Sequence, residues 1–91
     1  MLVRDAFAPI KKITGITAVD NTADAIVIHG QPITFVNMSG NIWVNPLATA
    51  VADATALKLT EGMALDMVVL GTLSIISDAS GGEYQVIYWD L

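Results

Sequence analysis

Apolar and polar residues alternate with a period of two along most of this chain, and the alternation is repeatedly cut by glycine, proline and asparagine. That period places side chains on alternate faces of an extended strand, and the breaks supply turns. The final quarter shows it best. Leu73 and Ile75 alternate with Ser74, Val86 and Tyr88 alternate with Gln85 and Ile87, and Asp78-Ala79-Ser80-Gly81-Gly82 lies between. The spacing predicts strands over 72–77 and 83–90, joined as a hairpin. A second hairpin is expected from strands over 33–37 and 41–45 around Met38-Ser39-Gly40, with Pro46 ending the second arm because it cannot donate to a ladder.

Further strands are predicted over 13–20, 24–29, 56–59 and 63–70. The alanine-rich stretch 47–56 reads as a connecting loop with room for one helical turn, and no helix longer than about two turns is expected. About eight short strands at roughly ten-residue spacing predict an all-β fold: a small β-sandwich or jelly-roll-like domain over residues 13–91. Residues 1–12 have no clean period and contain Pro9, so they read as an extended N-terminal arm. Its apolar side chains Leu2, Val3, Phe7 and Ile10, with Arg4, Lys11 and Lys12, are the expected partner-binding residues.

The last strands are apolar on both faces. Tyr84, Val86 and Tyr88 fall on one side and Ile87 and Trp89 on the other; Leu65 and Met67 oppose Asp66 and Val68. A sandwich sheet ordinarily keeps one face wet, so these seven residues, Leu65, Met67, Tyr84, Val86, Ile87, Tyr88 and Trp89, are assigned to the core or to an oligomer interface. A homo-oligomer follows, with a trimer as the expected closed form.

Composition sharpens this. Hydrophobic residues make up 54% of the 91, yet no apolar run approaches the ~20 residues that span a bilayer, so a subunit interface is the expected sink and no membrane partner is expected. The arm carries Arg4, Lys11 and Lys12 against Asp5, a net charge of +2. The remainder carries Lys58 against eight carboxylates, a net charge of −7, which argues against a nucleic-acid partner. Cysteine is absent, which fits synthesis in a reducing cytoplasm and leaves packing alone to hold the fold.

Candidate chemistry is thin. His29 is the single histidine, too few for a cupin-type metal site, and no Ser/His/Asp set is recognisable. Asp66 and Asp78 have no spacing that marks a glycosidase pair, and Gly81-Gly82 precedes no helix that would hold a phosphate. The expectation is a non-enzyme without metal or cofactor. Trp43, Tyr84, Tyr88 and Trp89, with Asn37, Asn41 and Asn45 around Trp43, keep open a carbohydrate-binding reading in which exposed aromatics stack on sugar rings.

The runs ITFVNMSGNIWVNP, ALKLTEGMALDM and GTLSIISDASGGEYQVIYWD, covering roughly residues 33–90, resemble small virion accessory proteins of tailed bacteriophages: capsid decoration or cement proteins, or knob and spike components, with β-sandwich or jelly-roll bodies. The resemblance lies in Trp43 with Asn45-Pro46, in Leu57-Lys58-Leu59-Thr60-Glu61-Gly62, and in Trp89-Asp90. It implies a structural role at the capsid surface after assembly in the host cytoplasm, with the major capsid protein or another virion protein as partner. A glycan-binding host-adhesion module is the alternative.

Overall fold

The computed structural model describes residues 9–16, 22–78 and 82–89. Among these residues eight strands occur: β1 (Pro9–Ile16), β2 (Asp24–Val27), β3 (Pro32–Asn37), β4 (Ile42–Asn45), β5 (Leu57–Leu59), β6 (Ala64–Val68), β7 (Thr72–Ser77) and β8 (Glu83–Trp89). Among the described residues there is no helix, and the all-β expectation holds. Two four-stranded sheets form, ordered β1-β8-β3-β6 (sheet A) and β2-β7-β4-β5 (sheet B), and every pairing is antiparallel.

The registers reveal a simpler description. Ile33 to Asn37 pair with Tyr88 to Tyr84, and Ile42 to Asn45 pair with Ser77 to Ser74. The segments β3–β4 and β7–β8 are therefore the two arms of one long antiparallel ribbon, folded over so that half lies in each sheet. The segment β1–β2 flanks this ribbon along β8 and β7, and β5–β6 flanks it along β4 and β3.

Both predicted hairpins are corrected by this arrangement. β3 and β4, separated by residues 38–41, lie in different sheets, and so do β7 and β8. The cause is local to the corner. The buried Asn37 side chain accepts a bond from Ser39 N at 3.1 Å and donates to Gly40 O and Leu59 O, each at 2.8 Å. Gly40 takes φ 71°, a left-handed value that costs glycine little. The chain is thus turned toward the β5–β6 corner instead of back on itself. Neighbouring corners are bonded to each other: Met38 N donates to Glu83 O at 2.8 Å, Asn41 Nδ2 to Asp78 Oδ2 at 2.8 Å, and Gly62 N to Asn37 O at 2.8 Å.

The core lies between the sheets. Ile33, Phe35, Val86, Tyr84 and Tyr88 from sheet A meet Ile42, Val44, Leu59, Leu73 and Ile75 from sheet B. The alternating burial of β3, β4 and β8 is the predicted period of two. Phe35 and Tyr84 stack with ring centroids 5.3 Å apart. Gly15 stands opposite Tyr84 in the β1–β8 register, and a Cβ at Gly15 would lie 2.1 Å from the tyrosine ring, so the missing side chain makes the place for that ring.

The expected boundary between arm and body also moves. β1 begins at Pro9, so residues 9–12 belong to a strand paired with β8 and not to the arm. Pro9 is compatible with this because it opens a strand at the edge of its sheet, and the register shifts between Pro9 and Lys11. Residues 1–8 lie outside the described residues.

Candidate interaction surfaces

The seven residues assigned to core or interface divide by face. Tyr84, Val86 and Tyr88 are buried in the core, and Leu65 and Met67 pack half-buried against it. Ile87 and Trp89 stand half-buried on the outer face of sheet A. There Trp89 Nε1 donates to Thr34 Oγ1 at 2.8 Å, and the Thr34 hydroxyl donates to Asp66 Oδ1. This chain of bonds runs from β8 through β3 to β6, and its carboxylate end is exposed. Of the expected arm residues, Leu2, Val3, Arg4 and Phe7 lie outside the described residues, and Ile10, Lys11 and Lys12 fall within β1.

Trp43 occupies the outer face of sheet B. Its register neighbours are Ile76 on β7, which is buried, and Lys58 on β5, whose Nζ lies 5.5 Å from the indole centroid. The two tryptophans therefore face away from each other on opposite sides of the molecule. A shared two-ring platform for a sugar does not form, and Tyr84 and Tyr88 are turned into the core. Asn37 is likewise committed to the corner, Asn41 to Asp78, and Asn45 to its own loop, where Oδ1 accepts from Leu47 N at 2.9 Å and Ala48 N at 3.0 Å.

Among the described residues no three His, Asp or Glu side chains gather as metal ligands. His29 is exposed at a turn with φ 60°. Asp66 and Asp78 are engaged separately, by Thr34 and by Asn41. Two open clefts border the 46–56 loop, one of about 350 Å³ lined by Ala25, Leu47, Thr49, Gly71, Thr72 and Ser74, the other of about 270 Å³ beside Val44 and Leu57. Among the described residues neither is lined by a titratable side chain. The loop is held over sheet B by Ala50, which is buried and donates its N–H to Ser74 Oγ at 2.9 Å.

The most exposed large apolar side chains were not singled out by the strand pattern. Leu47 is 93% exposed, Leu70 86%, Val68 59% and Val27 56%. They lie where the β2–β3, β4–β5 and β6–β7 connections meet: Leu47 shares its cleft with Gly71, and Gly71 O accepts from Ile28 N at 2.8 Å. The available signal was the apolar content of segments flanking Pro46 and Gly71, where loops are ordinarily polar. Tyr84 has its hydroxyl pKa pushed up by burial, then by the Asp24 carboxylate and by Tyr88; burial alone raises that of Tyr88. These shifts reflect packing, and neither tyrosine faces a cleft described above.

No protein-family model, no curated protein and no solved structure matches this chain.

Proposed function

We propose that this protein is a non-enzymatic virion component of a tailed phage, decorating or cementing the capsid surface as a homo-oligomer, with residues 1–8 as the attachment segment. The strand orders β1-β8-β3-β6 and β2-β7-β4-β5, generated by folding one antiparallel ribbon over itself, support the finer assignment of the body as a jelly roll. The observation that carries the functional reading is the cluster of solvent-exposed apolar side chains led by Leu47 and Leu70. Large apolar residues grouped at one end of a small domain mark a surface that is covered in an assembly.

The test is location. Mass spectrometry of purified virions is expected to find the protein in many copies, and immunogold microscopy to place it on the capsid. Its absence from virions overturns the proposal. Gold confined to a tail tip, with glycan binding by the purified protein, points instead to the adhesion reading.

A further inference from the structure

Among the described residues both sheets are open, and the two edges of sheet A are unlike. One edge is β1, which carries Lys11 and Lys12 and no acid. The other is β6, whose single charge is Asp66 and whose outward positions Ala64, Asp66 and Val68 are all exposed. Register connects them: Lys12 pairs with Ile87, Ile87 with Thr34, and Thr34 with Asp66. One row across the sheet thus begins at a lysine and ends at a carboxylate. An exposed edge without proline or lysine is a ready template for another strand, and β6 has neither.

We propose that β6 of one copy pairs with β1 of the next, so that sheet A continues from subunit to subunit. This deepens the assembly reading above and rests on it. Direction permits the contact: three successive antiparallel steps set β1 antiparallel to β6, so a neighbouring copy in the same orientation presents its β1 antiparallel to β6. Length permits it as well. The irregular register at Pro9–Lys11 leaves the rest of β1 regular to Ile16, enough to match the five residues of β6. Charge selects the partner, since β6 against β6 or β1 against β1 would set like charges at the seam. The contact is heterologous, so copies join head to tail, into a ring where the rotation between them closes and into an open filament where it does not.

The experiment is sedimentation of the full chain at low and high salt, with near-ultraviolet circular dichroism confirming that each variant is folded. The wild type is expected to be an oligomer that weakens in salt. Asp66→Lys, and separately Lys12→Asp, is expected to raise the dissociation constant at least tenfold. The chain carrying both changes should re-associate, and mixing the two single variants should restore assembly from two dissociated samples. An oligomer indifferent to all of these substitutions overturns the edge contact while leaving the assembly reading intact. A wild type that remains monomeric throughout overturns both. If Asp66→Lys fails to fold, the Lys12→Asp chain mixed with wild type decides: it retains an acidic β6 edge and should cap wild-type assemblies, and unaltered assemblies would refute the proposal.

Discussion

Asn37 shows how much of this fold hangs on one polar side chain. It is fully buried, and its amide bonds two carbonyls from different segments while its oxygen holds Ser39 N. Its backbone also bonds Met63 and Gly62. Replacing it with alanine leaves the buried Leu59 carbonyl, and the part-buried Gly40 carbonyl and Ser39 N–H, without this partner at the junction of two corners, at about 1–3 kcal/mol. Chemical denaturation of Asn37→Ala should show that loss, whereas Asn41→Ala, which removes an exposed bond to Asp78, should stay within about 1 kcal/mol. A comparable effect from the two variants would mean that the corner is held by its backbone alone. The tyrosines add a pH dependence with a definite sign. Tyr84 and Tyr88 have folded-state pKa values raised, chiefly by burial, above the unfolded value. Their contribution to stability is therefore complete below about pH 10 and is lost as pH rises through the folded values. Melting temperature should fall as pH rises above about 10, and Tyr84→Phe should shallow that fall.

At the level of elements, the close approach of β1 to β8 is the sharpest constraint. Gly15→Ala would put a methyl group into the Tyr84 ring, at a cost of about 1–3 kcal/mol or more. Coupled with Tyr84→Ala, the same change should cost little beyond Tyr84→Ala itself, a non-additivity measurable in a double-mutant cycle. Additive losses would show that the strand accommodates the methyl group elsewhere. The legibility of the sequence divides at this scale. Strand positions from β2 to β8 were readable because alternation and turn residues are local properties: Pro46 follows the end of β4, and Leu73 and Ile75 share one face, which is the buried one. Strand partners were not readable. A short link such as 38–41 looks like a hairpin turn whether the chain reverses in its own sheet or crosses to the other, and the difference is set by the reach of Asn37 to Leu59, far along the chain. β1 was misplaced because Pro9 suppresses a strand prediction everywhere except at an edge, and edge status is a property of the finished sheet. Among the candidate sites, period alone put Tyr84, Val86 and Tyr88 on one face of β8, but it did not say that this face is the inward one. The exposed Leu47 and Leu70 were not legible: Leu47 lies in a loop that carries no period, and the strand expected over 63–70 ran through Leu70, two residues past the end of β6.

For the whole molecule, the position of β1 separates two truncations that the sequence alone would have treated as one. Removing residues 1–8 takes away none of the eight described strands, because β1 begins at Pro9. The melting temperature should then change by no more than about 2 °C, a shift that corresponds to well under 1 kcal/mol for a domain of this size. Incorporation into virions should be lost if this segment is the tether, since the apolar Leu2, Val3 and Phe7 leave with it. Removing residues 1–12 takes away the first half of β1 as well, with its pairings to Trp89, Tyr88 and Ile87, and exposes part of β8 as a new edge. That variant should melt several degrees lower and should also lose any assembly that depends on Lys12. Two truncations of similar length thus report on different properties, attachment in the first and body stability in the second. If removal of residues 1–8 alone lowers the melting temperature by as much as removal of 1–12, the leading segment is part of the folded body. Attachment must then be sought at the exposed end around Leu47 and Leu70, where Leu70→Asp would keep the fold and abolish incorporation.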